Sequence, residues 1–181
     1  MSLTFRWQSP SNIALVQYWG KRDPQLPSNP SISFTLDACH TQTHAIFEPG
    51  QGIQVLLNGE DAPNFVPKIS QFIERISHRH AWLGDYSLKV DTVNSFPHSS
   101  GIASSASGLS ALALCVVDAA LALGAPLQES DARREASILS RLGSGSASRS
   151  VYGGLVVWGA THSVPGSHDE YAVPYPHAVH P

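Results

Sequence analysis

From Leu109 to Leu123 the chain is almost wholly Ala, Leu, Val and Cys, broken only by Ser110 and Asp118. A helix apolar on nearly all sides has to be buried on most of them. The stretch before it, Pro97-His98-Ser99-Ser100-Gly101-Ile102-Ala103-Ser104-Ser105-Ala106-Ser107-Gly108, is made of small residues and reads as a loop. Before that, Tyr86, Leu88, Val90 and Thr92 alternate with polar neighbours, the period of a strand. A strand, a tight small-residue loop and a helix that needs cover on all sides therefore fix the centre of the fold. The rest of the chain has to supply the layers around it.

Those layers are legible in outline. Val66, Ile69, Phe72, Ile73 and Ile76 recur at three and four, which predicts an amphipathic helix over 66–76. Residues 43–58 alternate about Pro49-Gly50-Gln51-Gly52 and reach Asn58-Gly59, which predicts two strands about one turn, ending at a second. Gly124 and Pro126 stop the central helix. Ser130 is placed to cap a further helix over 131–142, with Asp131 favourable near its positive end and Gly143 closing it. Gly153–Gly159 reads as a buried strand. After Gly159 the sequence turns polar and proline-bearing. Helices and strands mix without a strict βαβ rhythm, which favours an α+β fold.

Bulk properties exclude several classes. Hydrophobic residues make up 42% of the 181 residues and charged ones 14%, the balance of a globular chain. A net charge of −3 gives no reason to expect nucleic acid or an anionic membrane surface as a partner. No apolar run approaches the roughly 18 residues of a membrane span, and residues 1–7 lack an apolar signal segment. Cys39 and Cys115 are too few and too far apart for a disulfide framework or a zinc site, and the nine histidines show no ligand spacing. The expected compartment is the cytoplasm.

Three segments carry chemistry. The Pro97–Gly108 loop lets backbone approach a ligand closely, and free N–H groups with the helix dipole favour an anion. Ser104 and Ser105 add hydroxyls, although no lysine follows as in a P-loop. A serine-rich turn capping a core helix is the competing reading. In Gly143-Ser144-Gly145-Ser146-Ala147-Ser148-Arg149-Ser150, two serines and an arginine can converge on one phosphate or carboxylate. Here the competing reading is a flexible linker. In Ser9–Asp23 an apolar strand ends at Tyr18-Trp19-Gly20-Lys21-Arg22, where Tyr18 and Lys21 either face a ligand or sit as a half-buried ring and a snorkelling lysine.

The order of the three segments is similar to that of the galactokinase, homoserine kinase, mevalonate kinase and phosphomevalonate kinase superfamily. Within it, three strings resemble the diphosphomevalonate decarboxylase family: Asn12-Ile13-Ala14 leading to Tyr18-Trp19-Gly20-Lys21-Arg22-Asp23, then Pro30-Ser31-Ile32-Ser33-Phe34-Thr35-Leu36, then Gly143 to Gly154. The resemblance spans roughly residues 5–181. It implies the N-terminal domain of the superfamily fold, a ribosomal-protein-like two-layer β-α-β arrangement over 1–181, ending short of the family's C-terminal domain.

It also implies roles. Tyr18, Trp19, Gly20 and Lys21, together with Ser144, Gly145, Ser146, Ala147, Ser148 and Arg149, would bind diphosphomevalonate, and Asn12 would lie near its carboxylate. Pro97, Ser99, Gly101, Ala103, Ser104, Ser105 and Ser107 would hold ATP phosphates, with Ser105 also facing Mg²⁺. Lys68 would stand near a family arginine that touches the diphosphate. The implied reaction is ATP-dependent decarboxylation of (R)-5-diphosphomevalonate to isopentenyl diphosphate, ADP, phosphate and CO₂, a lyase step of isoprenoid and lipid biosynthesis. A homodimer is the family's tendency.

Two departures stand out. Gln17 takes the place of the family's usual lysine, and Ser148 that of its usual cysteine. Family members are about twice as long, and their catalytic aspartate lies beyond residue 181; Asp23, Asp37 and Asp91 do not match its motif. Two other readings therefore stay open: a superfamily kinase acting on mevalonate or phosphomevalonate, and a truncated, non-catalytic binding or dimerisation module.

Overall fold

In the computed structural model, the structure describes residues 1–97 and 104–177. In chain order the elements are β1 (Leu3–Val16), β2 (Lys21–Arg22), β3 (Leu26–Pro27), β4 (Ser31–Pro49), β5 (Ile53–Leu57), β6 (Glu60–Asp61), α1 (Val66–Ile76), β7 (Tyr86–Asn94), α2 (Ser104–Ala122), α3 (Ala132–Gly143), β8 (Leu155–Trp158) and β9 (Ala172–Pro174). The main sheet runs β6-β5-β7-β4-β8-β9, with β1 paired along the other side of β4. It is mixed, since β5 and β7 are parallel and the other pairs antiparallel. This is the expected α+β architecture.

Alternation sets the two layers. In β1, Leu3, Phe5 and Trp7 turn towards the core while Thr4, Arg6 and Gln8 are exposed. Leu3 and Phe5 lie opposite Phe47 and Ala45 of β4, and those lie opposite Leu88 and Val90 of β7. The resulting apolar face packs against α2, whose Leu112, Ala113, Val116 and Val117 are at most 1% exposed. Helix α1 begins and ends where its periodicity predicts, with Phe72 and Ile76 buried. Helix α2 ends in a Schellman motif: Gly124 (φ +80°) donates to Leu121 O and Ala125 donates to Ala120 O, both at 2.9 Å.

Several expectations change. Helix α2 starts well before Leu109, so at 19 residues it is long and apolar enough to cross a membrane by length and composition, contrary to the expectation that no segment approaches that size. Its surface is instead mostly covered by β1, β4 and α3. The strands about Pro49–Gly52 do not pair with each other, because β7 inserts between β4 and β5. The Asn58-Gly59 turn does make a tight hairpin, β5 to β6, with both residues at positive φ. Ser130 does not cap α3: a 3-10 turn, Glu129–Asp131, leads in, and no side chain caps the helix. Asp131 accepts from Arg134 at 2.8 Å instead. Gly143, expected only as a terminator, is also a contact point, since a Cβ there would lie 2.8 Å from Phe72 Cδ2 and 3.1 Å from Leu109 Cδ1.

Candidate active site

The segment Gly143–Ser150 is no flexible linker. Residues Gly145–Val151 form a 3-10 helix, and all of them but Ser146 are buried. Ser148 is fully enclosed and donates to Gly145 O at 2.8 Å, while its own carbonyl accepts from Ser137 Oγ at 2.9 Å. Gly145 is required by close approach: a Cβ there would lie 2.6 Å from Trp158 Cη2 and 3.5 Å from Lys21 Cε. The 3-10 helix is thus pressed onto the indole of β8 with the stem of Lys21 beside it.

That packing assembles a cationic wall from three distant strings. The Tyr18 ring meets Trp158 edge to face, with centroids 5.0 Å apart. Lys21 Nζ lies 5.8 Å and Arg149 Cζ 5.9 Å from the centroid of the Tyr18 ring. Arg149 is 3% exposed; its Nη1 donates to Ser31 Oγ at 2.7 Å, and Nε has no partner among the described residues. Burial pushes its pKa down to about 10, against a smaller upward pull from Tyr18. A guanidinium held dry on one serine is underserved, and a carboxylate or phosphate matches its fork. Asn12 Nδ2 donates to Ser150 Oγ at 2.7 Å and to Ser146 O at 3.2 Å, bracing the 3-10 helix from β1. The Ser144 and Ser146 side chains are half-buried, and their hydroxyls carry no hydrogen bond among the described residues.

Beyond Lys21 a cavity of about 460 Å³ is lined by Lys21, Arg75, Arg79, Arg141, Asp23 and Glu170, among others. Arg141 is 3% exposed and, among the described residues, donates to two carbonyls, Glu170 O at 2.8 Å and Pro24 O. Arg75 donates to Leu142 O at 2.9 Å. Burial, with the charge of Arg75 second, lowers the pKa of Lys21. Sequence reasoning missed Arg75 and Arg141. Arg75 sits on the polar side of an amphipathic helix, and Arg141 reads as an ordinary cation in the last helical turn. The spacing of Arg75 and Arg79, four residues apart, was the available signal for Arg75.

A second lobe lies at the start of α2. There a cavity of about 280 Å³ is lined mainly by apolar groups, Val55, Leu57, Phe65, Ile69 and Leu109 among them, with Ser104, Ser105 and Lys68 also in its lining. Lys68 therefore belongs with the serines of α2 and not with Arg149, and burial lowers its pKa. Ser105 is exposed and Ser104 half-buried. Ser107 is fully buried: it shares a 2.6 Å hydrogen bond with Thr41 Oγ1 and donates to Ser104 O at 3.2 Å. Ser11 Oγ donates to Ser107 Oγ at 3.4 Å, so Ser107 ties α2 to the sheet.

The remaining expected positions divide as follows. Tyr18, Lys21, Gly145, Arg149 and Asn12 come together. Ala147, Ser148 and Ser107 are interior. Gly20 packs against Ser28, whose Oγ would lie 3.1 Å from an added Cβ. Trp19 is 81% exposed, and Pro97 is exposed after the buried Phe96. Ser99, Gly101 and Ala103 lie outside the described residues. No cluster of three potential metal ligands from His, Cys, Asp and Glu occurs among the described residues.

Comparison with known proteins bears on the family and the fold. The profile described as the diphosphomevalonate decarboxylase-like N-terminal domain matches residues 9–172. A diphosphomevalonate decarboxylase of Ganoderma lucidum is 37% identical over 181 residues, covering 91% of this chain and 43% of that protein. The crystal structure of mevalonate diphosphate decarboxylase from Staphylococcus aureus superposes with a TM-score of 0.78 at 36% identity, covering 96% of this chain and 50% of that one. A structure of MDDEF in complex with MVAPP, AMPPCP and magnesium superposes at 0.77 and 34% identity, covering 97% of this chain and 51% of that one. The chain thus spans about half the length of the proteins it matches.

Proposed function

The chain belongs to the diphosphomevalonate decarboxylase family, and from that premise we propose that it supplies the ATP- and substrate-binding surface for decarboxylation of diphosphomevalonate to isopentenyl diphosphate. The carrying observation is Arg149: a guanidinium 3% exposed, its Nε unpartnered, packed beside Tyr18 and near Lys21. A substrate with a diphosphate at one end and a carboxylate at the other needs separate cations. Arg149, Lys21 and the free hydroxyls of Ser144 and Ser146 form one set, and Arg75 and Arg141 line the cavity beyond. The apolar cavity beside Ser104 and Ser105 suits a nucleotide base, with the phosphates lying towards the start of α2.

In the reaction the oxygen of the substrate's 3-hydroxyl, releasing its proton to solvent, bonds to the γ-phosphorus of ATP as the bond to ADP breaks. The C3–O bond then breaks with its electron pair on the departing phosphate, and the C–CO₂ bond electrons close the double bond as CO₂ departs. The residues of this chain orient and neutralise: Lys21 and Arg149 hold the substrate's negative charge fixed, and the buried setting of Arg149 strengthens each contact. Ser105, an exposed hydroxyl beside the nucleotide cavity, fits as one oxygen ligand of magnesium carried on the triphosphate, and when bound the ion neutralises phosphate charge.

The test is calorimetric titration of diphosphomevalonate into the parent chain and R149A. The expected loss is about 2 kcal/mol of binding, the scale of a buried charge-assisted pair. An unchanged dissociation constant removes Arg149 from the site. ATP-dependent phosphoryl transfer from mevalonate or its monophosphate without CO₂ release would replace the decarboxylase reading with that of a kinase.

A further inference from the structure

Lys21 stands on a hairpin that the main sheet does not hold. β2 and β3 pair with each other, Lys21 opposite Pro27 and Arg22 opposite Leu26, and form a sheet of their own. Lys21, Arg22, Asp23 and Pro24 are exposed. A lone two-stranded hairpin is marginal in water. This one also borders a cavity rich in cations. Arg75, His78 and Arg79 line it from α1 and the turn that follows, and Arg141 lines it from α3, with Asp23 and Glu170 as the acids. Like charges gathered in one cavity repel, so a hairpin that carries Lys21 into it needs fastening.

Among the described residues, two hydrogen-bonded contacts tie the hairpin to the rest of the fold, and both lead to Asp169 and Glu170. At the base, Arg22 Nη2 donates to Asp169 Oδ2 at 2.7 Å, and the other carboxylate oxygen accepts from Ala160 N at 2.8 Å. At the tip, Arg141 donates from Nη1 to Pro24 O and from Nε to Glu170 O, the latter at 2.8 Å. The base contact is an open ion pair, its side chains 59% and 31% exposed, and is a weak tie by itself. The tip contact is interior, since Arg141 is 3% exposed. A cation in the last turn of a helix is favourable at the surface, and taking a guanidinium out of water onto two carbonyls is costly. Its planar fork reaches both carbonyls at once, which the point charge of a lysine does not reproduce. We propose that Arg141 is a positioning residue for Lys21: it pins the tip of the β2–β3 hairpin to Glu170, the Arg22–Asp169 pair steadies the base, and the Lys21 ammonium is thereby kept beside Tyr18 at the cavity. That the pinned lysine serves an anionic substrate rests on the function proposed above; the pin itself does not.

The test titrates the lysine amines of the whole chain by methyl NMR after reductive methylation, which keeps their charge; the Lys21 signal is assigned by its loss in K21M. In the parent, the partial cover over Lys21, then the charge of Arg75, lowers its pKa, and burial lowers that of Lys68 in the other lobe. The expected result is a higher Lys21 midpoint in both R141K and R141Q, with the Lys68 midpoint unmoved. R141K retains the positive charge, so a rise there reports release of the hairpin and not removal of a cation. D169N reads the same event from the surface. Removing a carboxylate lowers a lysine midpoint through charge alone, whereas a freed hairpin raises it. No rise in R141K or D169N, or a rise that Lys68 shares, would overturn the proposal, and D169N decides alone where the Arg141 variants fail to fold. In diphosphomevalonate binding, R141K should cost about tenfold in the parent and less than about twofold on a K21M background, because a residue acting through Lys21 has nothing left to act on. Losses that multiply would make Arg141 an independent contact and overturn the positioning role. The NMR titration needs no ligand, so its failure is separate from a failure of the Arg149 titration.

Discussion

The two lobes of the candidate site are built by opposite means. The wall around Arg149 is made of buried polar groups: Asn12, Ser31, Ser148 and Ser150 hold one another and the 3-10 helix through bonds of 2.7 to 3.2 Å. The cavity at the start of α2 is walled mainly by apolar surface, Val55, Leu57, Ile69, Leu109 and Leu112 among its residues, with Thr41, Thr43, Thr92 and Asn94 also in its lining. Hydrogen bonds are directional and costly to leave unmade, whereas apolar packing is diffuse. The wall should therefore lose function when single atoms change. The cavity should lose stability when volume changes and keep the wall's chemistry intact.

The largest expected effect tests that separation from the cavity side. Leu112 is 1% exposed and belongs both to the cavity lining and to the central core. Leu112→Ala should cost about 3 kcal/mol of folding free energy in chemical denaturation, while diphosphomevalonate affinity of the folded protein stays within twofold. A parallel loss of affinity would mean that the lobes are not independent.

A second effect, on the order of 2 kcal/mol, concerns the clamp between the turn that follows α1 and helix α3. Burial alone would raise the carboxyl of Glu135, but hydrogen bonds from His80 and Arg79, with the charge of Arg79, hold its pKa down at about 2. Arg79 is bound through two atoms at 2.7 and 2.8 Å, and His80 Nε2 lies at 3.2 Å. A depressed carboxyl stabilises the fold above its ordinary pKa and loses that stabilisation as pH falls towards the folded value. The advantage of the parent over E135Q should therefore be full above pH 4.5 and fade as the pH approaches 2. A pH-independent difference would show that the clamp acts through packing alone.

The smallest effect sharpens the comparison within the wall. Asn12→Ala removes both donors' contacts to the 3-10 helix and should weaken diphosphomevalonate binding by about 1 kcal/mol, with less effect on ATP. Equal losses for both ligands would place Asn12 in the general fold and not in the wall.

How much of this the chain announces depends on the kind of force involved. Helix α1 is legible to the residue because its apolar spacing has one geometric solution. The 3-10 helix is not, because Gly, Ser and Ala carry no periodicity; its shape comes from Trp158 and Asn12, residues far away in the chain. The resemblance brought Tyr18, Lys21 and Arg149 to one site, but it also counted Ser107 and Ser148 as ligand contacts. Burial shows that both hydroxyls hold backbone and side chains together. Pairing across the sheet was hidden for the same reason: nothing local to Pro49–Gly52 says that β7 will come between β4 and β5.

Strand β1 meets both lobes with consecutive residues. Ser11 donates to Ser107 at the start of α2, and Asn12 reaches Ser146 and Ser150 in the 3-10 helix. One peptide bond thus joins the two anchor points, and a peptide unit does not stretch. The interval between the start of α2 and the 3-10 helix is consequently gauged by covalent geometry. For the two ligands proposed above, a ruler of that kind makes reach a criterion of selection.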